Sequence, residues 1–388
     1  CRWRSQWRSP WEPGEPPGRM GGTERRVPLK QDRISTRQLG ALLWAGLMAP
    51  AAELLPAVTL PLAGRAAWLS ALAALPVVLL IGWTLTKLDL SRDGLAGAVC
   101  RGMGPWAGKG VLLLYMIWGE LLLALRLRLC AQRLLTAGER DGSLWFFLPA
   151  AAALVLWMAR GKLSAFARAG QFFLAVLLIV AAAVLLLSLP QTEGEHLLPI
   201  WWGDLPNAAR SALPVLGVLG YGVFAAFLTG DLETARPGRN WWVLWSTGGC
   251  ALLALSQAVV IGNLGPALAG QLDSPFFALA KSVGVEGAFQ RVESIVAAVW
   301  TFADLTLMGL LTFAIWRAAA GVNPRLRQKP AVTAVVLIAA VLGIAAFPDG
   351  ISAEEAGRGI ALWGNLMAGV VLPVLVLLIS WGREKMQG

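Results

Sequence analysis

Ten stretches of about 20 mostly apolar residues recur along the chain, each long enough to cross a hydrocarbon layer about 30 Å thick as a helix. They lie at roughly 38–62, 66–87, 108–132, 144–160, 166–189, 211–230, 241–265, 292–317, 331–348 and 360–381. Inside lipid every backbone polar group must be satisfied within the fold, so this pattern predicts an all-α integral membrane bundle. Composition agrees: 14% of residues are charged, against about 25% in ordinary soluble domains. No polar stretch is long enough for a soluble domain. Residues 34–383 are therefore expected to form one polytopic membrane domain, with 384–388 a short cytoplasmic tail.

Residues 1–33 form a basic segment rich in Arg, Pro and Trp that lacks the apolar core of a signal peptide and is expected to be disordered. Met20 is the expected natural start, with residues 1–19 an upstream extension. The four cysteines show no ligand spacing and the single histidine, His196, sits alone in a polar loop. Neither a metal site, a cofactor nor a disulfide framework is expected, and a hydrolytic triad cannot be assembled. The formal charge of +10 is spread along the chain rather than gathered in one stripe, which argues against nucleic acid.

Those charges instead set topology. With the N-terminus inside, about twenty Lys and Arg residues fall on cytoplasmic segments and about seven outside, so both termini are expected in the cytoplasm. Arg133 and Arg140 are the exception, reading as an outer loop against the rule. Tryptophans near predicted span ends, including Trp201, Trp202, Trp241, Trp242 and Trp245, read as headgroup anchors.

Ten helices divide into five plus five, and an odd-numbered repeat must be inverted in the membrane. Helices 1 and 6 should then correspond, and both carry breakers: Pro50 and Pro56 flank Glu53 in the first, while Pro214, Gly217, Gly220 and Gly222 stud the second. Proline removes a backbone donor and glycine is a poor helix residue, so each stretch is a candidate for unwinding around a midplane site. The competing reading is close helix packing through small residues. If the breaks form the site, Ala49, Pro50, Glu53, Gly217, Gly220, Tyr221 and Gly222 line it.

Charges inside apolar spans must face protein or water. Glu120, Arg126 and Asp304 are expected to form an intramembrane polar network that draws in Glu53, with Arg128 close enough to its helix end to snorkel. Glu293, Ala297, Trp300 and Asp304 share one helical face. Asp304 should look towards Glu53 or Arg126. Asp231, Glu233 and Arg236 read as a solvated turn.

Four segments, "ISTRQLGALLWAGLMAPAAELLP" (34–56), "LPVLGVLGYGVFAAFLTGDLE" (213–233), "LDSPFFALAKSV" (272–283) and "FQRVESIVAAVWTFADLTL" (289–307), together resemble the B-subunit family of spore germinant receptors. That family lies within the amino acid/polyamine/organocation transporter superfamily. The resemblance implies a ten-helix inverted-repeat, amino-acid-transporter-like bundle with broken helices 1 and 6. It also implies a spore inner membrane, A- and C-subunit partners, and a small nutrient ligand such as an amino acid. The family motifs fall on Ser35 and Gln38, on Arg291 and Glu293, and on Trp300. Glu53 departs from the small neutral residue expected in helix 1, which favours an amine-bearing or cationic ligand or makes Glu53 a fixed internal amine partner. The rival function is a proton-coupled amino acid permease acting alone, with Glu53 or Asp304 carrying the proton.

Overall fold

The computed structural model describes residues 32–387 apart from 89, 91–92, 138–142, 234–238 and 283–291. Its helices follow in chain order: α1 Thr36–Ala63, α2 Ser70–Lys87, α3 Gly94–Met103, α4 Pro105–Ala137, α5 Leu144–Ala159, α6 Leu163–Ser188, α7 Leu205–Leu219 and α8 Val223–Ala226. Then come α9 Arg239–Gln271, α10 Pro275–Ser282, α11 Val292–Val322, α12 Gln328–Ala345, α13 Gly350–Ala356, α14 Leu362–Leu366 and α15 Leu372–Gln387, the last three running on through π turns.

Eight stretches among the described residues are long and apolar enough to cross a membrane. One of them, Thr36–Lys87, covers 52 residues and bends at the 3-10 turn Gly64–Leu69, giving two crossings. Separately, α5 is apolar but spans 16 residues, about 24 Å at 1.5 Å per residue. The expected ten crossings require that division of the first stretch and the inclusion of α5.

α1 starts where its sequence says it should. Ser35 Oγ accepts from Gln38 N at 3.2 Å while Gln38 Oε1 accepts from Ser35 N at 2.9 Å, a reciprocal cap of two otherwise orphaned donors. The expected break in helix 1 is absent, because α1 runs unbroken through Pro50 and Pro56. Both prolines are buried, and α6, α7, α9 and α11 enclose the helix, so neighbours hold the turn that each missing donor would loosen. At Gly46 the α11 backbone approaches closely: an added Cβ would lie 3.2 Å from Leu307 Cα.

Helix 6 tightens between α7 and α8 into a right-handed 3-10 turn at Gly220–Gly222 and is not an unwound segment. Its glycines serve close packing. A Cβ at Gly217 would sit 2.6 Å from Leu362 O and one at Gly220 2.4 Å from Asn365 O, so helix 6 and α14 cross backbone to backbone. Past α8 the chain pairs with the segment before α1: Ile34 N donates to Asp231 O at 2.9 Å and Glu233 N to Ile34 O at 3.0 Å. α4 and α11 occupy the middle of the bundle, and α11 is buried along most of its described length.

Of the expected anchors, Trp201 and Trp202 are exposed, whereas Trp242 is buried and Trp241 and Trp245 pack against the core. Those three are packing residues because α9 lies against α2.

Candidate functional site

The long α4 carries Arg126 and Arg133 seven residues apart, two turns along one face. Opposite them, α1 supplies Glu53 and α11 supplies Asp304. Arg126 Nη1 donates to Glu53 Oε2 at 2.9 Å and lies 3.6 Å from Asp304 Oδ1. Arg133 Nη2 lies 2.9 Å from Glu53 Oε2, and its Nη1 donates to Asp304 Oδ2.

Two cations and two anions thus meet inside the bundle with formal charges that cancel. Burial is graded: the Arg126 and Asp304 side chains are 0% exposed, those of Arg133 and Glu53 11% and 12%. Each charge alone at membrane depth would cost at least about 2.5–3.5 kcal/mol on insertion scales, so mutual neutralisation is what lets the group exist there. The Tyr221 ring lies 5.9 Å from Arg126 Cζ, close enough to add a cation–π contact. Hydrogen bonding is incomplete, since among the described residues Arg126 Nε and Nη2 and Asp304 Oδ1 have no hydrogen-bond partner.

A cavity of about 370 Å³ opens onto this cluster, lined by Glu53, Gln132, Arg133, Phe277, Lys281 and Glu354 among others. On the far side of α1 and α10 lies an apolar cavity of about 70 Å³, bounded by Met48, Ala52, Trp245, Phe276 and Trp300. Ala52 and the adjacent Glu53 therefore line different spaces. Between them stands an aromatic trio. The Trp300 ring is 4.9 Å from Phe276 and 5.6 Å from Phe277, and Trp300 Nε1 donates to Met48 O at 3.3 Å.

A third cavity, about 440 Å³, sits at the other end of the bundle between α3, the turn after α8, and the end of α11. Here the turn expected to be solvated is tied down at one residue: Arg317 Nη2 donates to Asp231 Oδ1. Glu233 is exposed, and Arg236 lies outside the described residues. Burial pushes the Asp231 carboxyl above its ordinary range, with Arg317 opposing the shift.

The structure brings Glu53, Arg126 and Asp304 together and leaves Glu120 out. Six residues from Arg126, Glu120 projects from a different face of α4, near the Ala339 backbone of α12, and among the described residues its Oε1 is buried without a partner. Arg128 does not snorkel: its Nε donates to Phe347 O at 2.9 Å and its Nη1 to Gln132 Oε1 at 3.0 Å. Ala49 and Pro50 are buried within α1 and are not among the lining residues of these cavities. Gly222 lines a small space of about 30 Å³ beside Trp242 and Trp245. Arg291 lies outside the described residues, as does the Glu293 side chain.

Arg133 is the member that sequence reasoning missed. Placed in an outer loop, it lies in fact within α4, which extends to Ala137. Two signals pointed to it: the seven-residue spacing from Arg126, and a positive charge on the wrong side that needed an anion.

A family model described as "Spore germination protein" matches residues 33–353. No curated protein matches the sequence. Among solved structures, the crystal structure of MhsT in complex with L-phenylalanine superposes with a TM-score of 0.60 at 14% identity, covering 90% of this chain and 99% of that one. The likeness is one of fold, and it places the helical bundle among transporter-type membrane folds.

Proposed function

Because the chain belongs to the spore germination protein family, we propose that it is the membrane-embedded B-type subunit of a nutrient-germinant receptor, working with A- and C-type subunits in the spore inner membrane. In this reading both termini are cytoplasmic and the cavity above Glu53 and Arg133 faces outward. A small nutrient of the amino acid class enters there, favours one arrangement of the bundle by binding it more tightly, and so shifts the partner subunits towards triggering germination. Arg126, Asp304 and Tyr221 hold the site from beneath, and the glycines of helix 6 keep that helix against α14. The reading treats the protein as a binding and transport-type molecule rather than an enzyme.

The observation that carries this reading is the neutral four-charge cluster at the floor of an accessible cavity, between α1, α4 and α11. MhsT, of similar fold, was crystallised with L-phenylalanine, which supports the ligand class. The same cluster supports a second reading, a proton-coupled amino acid permease acting alone, in which Glu53 or Asp304 takes the coupling proton.

Uptake and germination assays separate the two. Spores carrying Glu53→Gln should insert the protein normally and lose their nutrient response, while the isolated wild-type chain in proteoliposomes should not accumulate labelled amino acids. Accumulation driven by a proton gradient would replace the receptor by the permease. An unchanged germination response in Glu53→Gln spores would remove the cluster from the site.

A further inference from the structure

We propose that the ligand's charged head inserts between Glu53 and Arg133, its carboxylate on the guanidinium and its ammonium on the carboxylate, and that the Phe276–Trp300–Phe277 partition selects a bulky apolar side chain. The inference rests on the reading of the cavity above Glu53 as the ligand site.

Exposure shows which contact can open. Glu53 and Arg133 line the cavity, whereas Arg126 and Asp304 are sealed beneath it. If the Glu53–Arg133 contact parts, Glu53 keeps Arg126 at 2.9 Å and Arg133 keeps Asp304, so neither is stranded. No other contact in the cluster combines access with that safeguard. Arg126 and Asp304 are positioning residues for this pair.

Charge then selects the head group. The cluster is formally neutral, and a zwitterion leaves it neutral while offering each exposed member a replacement partner. An amine without a carboxylate, or a carboxylate without an amine, would part Glu53 from Arg133 while replacing only one of the two partners lost. Arg133 presents the planar fork that suits a carboxylate.

The aromatic trio addresses the rest of the molecule. Phe277 lines the charged cavity and lies 5.5 Å from Arg133 Cζ, while Phe276 and Trp300 line the apolar one. A side chain attached to a head group at Glu53 and Arg133 meets this wall first. Behind it lies a mostly apolar space bounded by Met48, Ala52 and Trp245, with Ser256 and Gln257 its polar members, which favours aliphatic and aromatic side chains over polar ones.

Equilibrium binding to the purified full-length chain in lipid nanodiscs tests the placement, with L-leucine, L-phenylalanine, L-serine, 3-methylbutylamine and 4-methylpentanoate as probes. Leucine or phenylalanine should bind, serine more weakly, and the two half-ligands at least about 50-fold more weakly than leucine. Glu53→Gln and Arg133→Gln should each abolish leucine binding, Arg133→Lys should retain a reduced affinity that shows the fold intact, and Phe277→Ala should narrow the leucine-to-serine ratio. Amine binding as tight as leucine would overturn the zwitterion assignment. Leucine binding that survives both Gln substitutions would move the site elsewhere while leaving the receptor reading in place. If none of the amino acids binds the wild-type chain, the receptor reading of this cavity fails together with the placement.

Discussion

Arg126 Nη1 donates to Glu53 Oε2 at 2.9 Å from a side chain with no solvent exposure, joining the centre of α4 to the proline-flanked stretch of α1. Together with Arg133, which lies 2.9 Å from the same carboxylate oxygen, it ties α4 to α1 through charge. It also relieves α1 of a charge that Pro50 and Pro56 leave without polar neighbours of its own.

Removing one partner of a buried pair leaves the other uncompensated, at a cost of about 3–5 kcal/mol. Arg126→Gln should therefore lower the thermal midpoint of the detergent-purified protein sharply, and adding Glu53→Gln should recover part of the loss. A single substitution that melts with the wild type would mean that Arg133 alone neutralises both carboxylates.

The crossing of helix 6 and α14 makes an equally direct prediction. At Gly220 a methyl group would stand 2.4 Å from Asn365 O, a backbone atom that cannot swing aside. Gly220→Ala should cost about 1–3 kcal/mol through overpacking. At Gly110 in α4 an added Cβ meets nothing within 4 Å, so Gly110→Ala should be neutral or slightly stabilising. Paired thermal melts would show the contrast, and equal melting of the two variants would refute the close crossing.

These two sites also show where reading the sequence stops. Glu53, Arg126 and Asp304 were legible as inward-facing because a charge within an apolar run has nowhere else to go, and Ser35 with Gln38 announced the start of α1. The role of Gly217 and Gly220 was not legible, because glycine serves a tight crossing and an unwound turn equally well and only the position of α14 decides between them. Arg133 was lost to a boundary error of a few residues: its helix was expected to end at 132 and continues to Ala137. Asp231 read as surface because its partner, Arg317, lies 86 residues away in sequence.

That distant pair yields a pH prediction. Asp231 titrates above its ordinary value of about 3.9 because burial outweighs the attraction of Arg317. The folded state then holds this proton to higher pH than the unfolded state does, so the group's contribution to stability is greatest in acid and declines as pH rises through the raised value. Relative to Asp231→Asn, which cannot titrate, the wild type should lose thermal stability as the pH rises from about 4, the unfolded value, through the raised folded one. A difference in midpoint that stays flat across that range would place Asp231 on an ordinary, solvated titration.

Glu120 separates the cluster from intramembrane charge in general. It lies on α4 like Arg126 and Arg133, yet it projects towards α12, is half-buried, and among the described residues leaves Oε1 without a hydrogen bond. A carboxyl in that setting contributes no ion pair, and the neutral amide of Glu120→Gln keeps its shape while adding a donor. The substitution should leave stability unchanged or raise it by up to about 1 kcal/mol, read as an unchanged or slightly higher thermal midpoint, and leave the nutrient response intact. Asp304→Asn, by contrast, takes an anion from two guanidinium groups and should weaken both stability and response. If Glu120→Gln instead matched Asp304→Asn in loss of response, the functional charges would extend along α4 beyond the four that meet at Glu53, and the polar path through the bundle would run towards α12.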